Sequence, residues 1–236
     1  MQVLKLSFLA IAMAVTGYTT YAQTADEIIQ KHIEAVGGTK IWDNIKSVKL
    51  KGAMSAQGME IDMTQTIVEN KGMRVDINAM GQAGYTIITP TEGWMYMPFM
   101  GQTKPEALPA DQLKSQQSKI SFRNNMLVDK SQITKSSLAG KDVVNKIACY
   151  KLKVTDKDGG EQTCFIDQTT YFLVRTEMKI KLQDDDQDVA VNYSDFKKQP
   201  EGITVPMTYG TPQGDLKYKS IEINKTVDEA IFKPTN

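Results

Sequence analysis

The stretch "MEIDMTQTIVENKGMRVDIN", Met59 to Asn78, alternates apolar and polar residues with a period of two on both sides of a short break. In its first half Met59, Ile61, Met63 and Ile67 share one face, while Glu60, Asp62, Thr64 and Thr66 share the other. In its second half Met73, Val75 and Ile77 alternate with Arg74, Asp76 and Asn78. Successive side chains of a strand point to opposite faces, so both halves are predicted strands with one apolar and one polar face. "NKG" between them leaves room only for a tight turn, which makes the two strands antiparallel neighbours.

The same pattern runs outward in both directions. Strands are predicted near 46–56, 59–69, 72–79, 83–89 and 93–99, separated by "AQG", "NKG", "GQAG" and "PTEG". In "GWMYMPFMG", Gly93 to Gly101, Met95, Met97 and Phe99 alternate with Trp94, Tyr96 and Pro98, so only one of these sets can face inward. Between Gln102 and Gln132 the period breaks, and "LPADQLKSQQSKI" and "SFRNNMLV" read as one or two helices with a proline at the first helical position. Strands resume near 133–139, 143–155, 161–167, 172–182, 187–195, 202–209 and 213–224, before a last turn at "VDEAIF". Ahead of them, Thr24-Ala25-Asp26-Glu27 is a capping box. Ile28, Ile29, Ile33 and Val36 form its helix's apolar stripe, Gly37-Gly38 stops it, and "TKIWDNI" brings Trp42 toward the core. About a dozen strands in one run, without repeats or linkers, imply a single strongly curved antiparallel sheet or open barrel.

Composition limits the partners. The chain has 236 residues, 41% of them hydrophobic and 24% charged, with Lys plus Arg and Asp plus Glu both 28. It is long enough for one ordinary domain and carries no basic field for nucleic acid. Lys5, the apolar "LSFLAIAMAV" and "TGYTTYAQ" read as a signal peptide cut after Ala22, with a mature domain over 23–236 that does not span a membrane. Cys149 and Cys164 flank an Asp158-Gly159 hairpin turn, which sets Cys149 opposite Gln168, about 13 Å along the strand from Cys164 at roughly 3.4 Å per residue. That separation favours two small, partly buried thiols over a disulfide.

Chemistry-bearing constellations are absent. Any Ser/His/Asp or Cys/His centre would have to use His32, the single histidine, which lies beside the helix stripe and reads as a packing residue. The acidic run Asp184 to Asp188 reads as a solvated turn, and no metal or cofactor site and no enzyme activity is expected. Methionine is the unusual feature. Thirteen are present, two of them in the leader, and unbranched thioethers re-pack around variable apolar shapes.

"TQTIVENKGMRVDI", "YTIITPTEGWMYMPFMGQ", "VRTEMKIKLQDDDQDVAVNYSDFKK" and the closing "VDEAIFKP" resemble, in this order, segments of periplasmic lipoprotein carriers and outer-membrane lipoprotein-sorting proteins. The resemblance spans 45–234. It implies a mainly β fold of the α+β kind, an unclosed half-barrel of about 11–12 strands wrapped around the N-terminal helix and a mid-chain helical insertion. It also implies that the concave face holds lipid or the acyl chains of a lipoprotein, with membrane-bound donor and acceptor proteins as partners. In such carriers a basic residue with Arg and Pro follows the second strand and latches a lid. Here that place reads Glu69-Asn70-Lys71, leaving Arg74 as the possible substitute.

Residues and resemblance together give a non-enzymatic carrier whose cavity wall or rim is drawn from Met59, Ile61, Met63, Ile67, Met73, Val75, Ile77, Trp94, Met95, Tyr96, Met97 and Phe99. The alternative is an exported scaffold or interaction module with a solid core. A carrier should show a continuous apolar pocket of at least roughly several hundred Å³.

Overall fold

The structure, a computed structural model, describes residues 23–56, 58–182 and 185–235, so the expected signal peptide lies outside the described residues. Helix α1 (Ala25–Ala35) opens the described chain with the expected capping box: Thr24 Oγ1 accepts from Glu27 N, and the Glu27 carboxylate accepts from Thr24 N. Gly37 and Gly38, both at positive φ, end it, with Gly38 N donating to Ile33 O. A single turn, α2 (Thr39–Trp42), then buries Trp42 completely, its Nε1 donating to Val36 O.

Thirteen strands follow. The first run is β1 (Ser47–Ala56), β2 (Met59–Val68), β3 (Gly72–Ala79), β4 (Gln82–Ile88), β5 (Gly93–Tyr96) and the two-residue β6 (Glu106–Ala107). The mid-chain insertion contains α3 (Ala110–Gln116) and α4 (Phe122–Asn125). The second run is β7 (Ile133–Val144), β8 (Ile147–Asp156), β9 (Glu161–Asp167), β10 (Leu173–Leu182), β11 (Asp185–Lys198), β12 (Thr204–Thr211) and β13 (Gly214–Ile223). They form one unclosed antiparallel sheet in the order β6-β5-β4-β3-β2-β1-β13-β12-β11-β10-β9-β8-β7. The β1–β13 pairing thus joins two meanders, each built of hairpins with short turns. The strand count exceeds the expectation by the short β6, which the irregular segment after Gln102 hides.

The main core lies between the inward face of this sheet and the helical segments. Ile28, Ile29 and Ile33 of α1, Trp42, and Phe122 and Met126 of the insertion pack on Leu50, Ile67, Met73, Leu152, Ile166 and Ile223 of the sheet. A second cluster forms on the outward face, where Phe232 of the C-terminal 3-10 turn (Glu229–Phe232) buries itself against Tyr85 and Ile87. Gly72 is what allows this approach, because a Cβ there would stand 3.0 Å from the Phe232 ring.

Four local readings are corrected. The turn between β7 and β8 is Asn145-Lys146, both at positive φ, and not the stretch around Gly140, where a bulge falls between the Leu138–Leu152 and Gly140–Lys151 pairs. The loop between β8 and β9 takes four residues, 157–160, with Thr155 paired to Glu161, so Cys149 lies opposite Asp167 and Cys164 opposite Leu152. That one-residue slip puts the cysteines on opposite faces, and both are free. Pro109 is the N-cap of α3 and not its first helical residue. Finally, the acidic run is mostly strand: Asp186 and Asp188 pair with Lys181 and Lys179 across the β10–β11 hairpin.

Candidate functional site

The sheet register arranges the inward residues in rows. Ile67, Val48, Ile223 and Met73 form a row near the end capped by α1 and α2, where Thr204 N donates to Val36 O and Asn224 Nδ2 to Asn44 O. Two rows toward the other end lie Ile77, Met63, Gly52 and Tyr218, and beyond them Ile61, Met54, Leu216, Tyr209 and Tyr193. The helices cover the first row, so Ile67 and Met73 are buried in the core. Ile61, Met54, Met63, Ile77 and Val75 stay half-buried. Antiparallel geometry places the β1–β2, β3–β4 and β12–β13 turns together at that second end. There Met59, Met80 and Met100 are 48%, 73% and 74% exposed, an apolar rim around the half-buried rows.

The expected site residues divide accordingly. Met59, Ile61, Met63, Val75, Ile77 and Met95 belong to the open part of the inward face or its rim, while Ile67 and Met73 lie beneath the helices. Met97 and Phe99 both lie over Gly84, whose missing Cβ would stand 3.1 Å from Met97 Sδ and from a Phe99 ring carbon. Phe99 reaches this place from a 3-10 turn (Pro98–Met100), because β5 ends at Tyr96. Trp94 and Tyr96 point the other way and pack with Tyr85, Ile87 and Phe232 on the outward face. The pattern of Met59–Asn78 did not single out Met54, Met80, Met100 or the tyrosines of β11–β13. Equal strand parity in "VAVNY", "VPMTY" and "DLKY" was the available signal for the last group.

The insertion is held over the core by polar contacts. Glu69 follows β2 and accepts from Phe122 N at 2.9 Å and from Ser121 Oγ at 3.5 Å. Burial pushes its carboxyl above the ordinary value, and the hydrogen bonds from Ser121, Phe122 and Arg123 pull it partly back. Arg123 Nη2 bridges Asp43 Oδ1 at 2.8 Å and Asp129 Oδ2 at 3.4 Å. Two separate contacts therefore meet the insertion here, the Glu69 carboxylate just after β2 and the Arg123 guanidinium between Asp43 and Asp129. Arg74 takes no part in either: it lies on the outward face, bonded to Asp76 and to Ile231 O and stacked 4.4 Å from the Tyr85 ring centre.

His32 is fully buried, with Nδ1 2.8 Å from Tyr171 O and Nε2 2.9 Å from Met126 O. Burial lowers its pKa, against a smaller opposite effect of the two carbonyls, so the neutral ring donates to one of these carbonyls and sits as a packing residue between α1, the β9–β10 turn and the insertion. Among the described residues no group of three or more His, Cys, Asp or Glu could hold a metal ion. No described helix is long and apolar enough to cross a membrane.

Three hollows are lined by a mixture of polar and apolar groups. One of about 1040 Å³ runs along the β7–β11 half of the sheet between charged side chains such as Lys153, Arg175, Glu161 and Glu177. One of about 430 Å³ is bounded by Asp62, Arg74 and Asp76, and one of about 370 Å³ lies between α1 and β7. The second of these, though partly apolar, lies on the outward face beside Tyr85 and Tyr96, so none of the three is the pocket expected on the inward face; there the half-buried apolar side chains end near exposed Met59, Met80 and Met100.

No protein-family model matches this chain, and no curated protein sequence does. Solved structures do. A LolA superfamily protein from Nitrosomonas europaea matches at 15% identity and a TM-score of 0.55, over 90% of this chain and 98% of that one. A DUF1329 family protein from Desulfovibrio piger matches at 13% identity and a TM-score of 0.57, again over 90% and 98%. A domain described as outer membrane lipoprotein-sorting, from Vibrio parahaemolyticus, matches at 13% identity and a TM-score of 0.52, over 87% of this chain and 94% of its own length. The chain therefore has the fold seen in LolA superfamily and outer membrane lipoprotein-sorting proteins, along almost all of its described length.

Proposed function

We propose that this protein is an exported, non-enzymatic carrier that holds a lipid, or the acyl chains of a lipoprotein, against the open end of the inward face. The observation that carries this reading is the run of half-buried apolar side chains Met54, Ile61, Met63, Val75 and Ile77 on adjacent inward rows, continuous with the core and ending near exposed methionines. Each acyl methylene buried there gains roughly 0.8 kcal/mol, and a bare chain has no stable place in an aqueous compartment. Methionine side chains suit chains of varied length and saturation because they re-pack at little cost. In this reading residues 1–22 are removed on export to the periplasm, the insertion covers the inner part of the chain, and membrane proteins deliver and receive the cargo for outer-membrane lipoprotein sorting.

Native mass spectrometry of the mature protein purified from an exporting host, followed by lipid extraction, tests it. A co-purifying acylated species is expected. A clean apo mass that also takes up no added lipid would instead favour the scaffold reading, in which the packed centre of the face is the whole of its purpose.

A further inference from the structure

The open end of the inward face is not uniformly apolar. Tyr193, Tyr209 and Tyr218 stand on three adjacent strands with rings edge to face, 5.3 Å apart for the first pair and 5.4 Å for the second. The outer two hydroxyls are satisfied: Tyr193 shares a 3.0 Å hydrogen bond with Thr176, and Tyr218 donates to Gln65 Oε1 at 3.1 Å. The middle one is not. Tyr209 Oη has only Met126 Sδ, a weak acceptor, at 3.9 Å. Tyr209 nonetheless keeps some accessible surface, in the same row as half-buried Met54 and Ile61. A buried hydroxyl without a good partner is uncommon and costs stability unless something else accepts its proton.

The surroundings restrict what that acceptor is. The described inward positions of β1 to β4, of β9, and of β12 and β13 carry no Lys, Arg, Asp or Glu, and neither do Thr176, Met178, Val189 and Val191 nearby. Burial pushes the Tyr193 phenol up to about 12 and that of Tyr209 well above its ordinary value, so all three remain neutral donors. A free carboxylate brought here would lose water without gaining a counter-charge from these strand positions. An ester or amide carbonyl would lose far less and would satisfy the phenol.

We propose that Tyr209, flanked by Tyr193 and Tyr218, donates to the neutral carbonyl of an esterified or amidated acyl chain, so that the groove takes such chains in preference to free fatty acids. This rests on the carrier reading above. The test is displacement of Nile red, an uncharged apolar dye, from the mature protein by methyl laurate and by laurate at about pH 8, where laurate is ionised. Methyl laurate is expected to act at roughly tenfold lower concentration, the scale of one hydrogen bond plus the avoided burial of a charge. In Tyr209→Phe, which keeps the ring, the ester is expected to lose most of that advantage. A second reading needs no variant: the stretch of a carbon-13-labelled ester carbonyl should fall in frequency on binding to the wild-type protein. Equal displacement by the two ligands, or an unshifted carbonyl, would overturn the proposal while leaving the carrier reading intact. Failure of dye, ester and acid all to bind would sink the carrier reading and this proposal with it.

Discussion

At position 32 a buried polar side chain joins the apolar stripe by which α1 meets the rest of the molecule. The His32 ring spans Tyr171 O, in the β9–β10 turn, and Met126 O, in the insertion. A neutral imidazole donates only one N–H, so burial and hydrogen bonding pull in opposite directions, and burial is the larger effect. The folded pKa is then below the ordinary 6.5, and the unfolded chain binds a proton that the folded chain refuses. Stability from this group is present above 6.5 and is lost as pH falls through it toward the folded value. The urea midpoint of the wild-type protein is expected to drop between about pH 7.5 and pH 5.5, by more than that of His32→Gln, which has no ring to protonate. A wild-type midpoint that rises on acidification relative to His32→Gln would show the ring charged and bonded to both carbonyls.

Among the elements, the insertion is the one whose attachment bears on access to the groove. Its hold on the sheet runs through Glu69, which accepts from Phe122 N, and through Arg123 between Asp43 and Asp129. Removing the carboxylate leaves a part-buried N–H without its acceptor, a loss of about 1–3 kcal/mol. Glu69→Ala is therefore expected to speed amide hydrogen exchange across 110–128 more than in β8 and β9, and to lower the global midpoint by a matching amount. Unchanged exchange in that segment would mean that apolar packing of Phe122 and Met126 holds it alone. The element boundaries themselves were legible where turn chemistry was unambiguous, as at Asn70-Lys71-Gly72. They were misread where Gly140, a bulge, competed with Asn145, which takes the left-handed conformation of the true turn. In the same way, one extra residue in the loop after Asp156 reversed the predicted facing of Cys149 relative to Cys164, because side-chain parity has period two.

For the whole molecule, the decisive property is which side of the curved sheet the helices occupy. With α1, α2 and the insertion on one side and the C-terminal turn on the other, Met63 and Trp94 end on opposite faces although both belong to apolar-rich strands. Met63→Asp is expected to weaken binding of an uncharged acyl probe at least about tenfold, since the charge must leave water whenever the groove is filled. Met63 is only half-buried, so the unliganded fold should survive the change, as a near-unaltered melting temperature would show. Undiminished binding with the fold intact would remove Met63 from the site.

The sequence by itself determined the period-two strands, the capped first helix, the irregular insertion and the alternation that made one face of β2 and β3 rich in methionine, because each of these is set by neighbours a few residues apart. It also pointed, through resemblance, to the fold that the solved structures share. Only the tertiary structure decided the rest. Covering Ile67 while leaving Ile61 open, bringing Tyr193, Tyr209 and Tyr218 side by side, and turning Trp94 toward Phe232 depend on strand register and on which long-range packing partner arrives. Local alternation says that two faces exist; it does not say which of them the helices will bury.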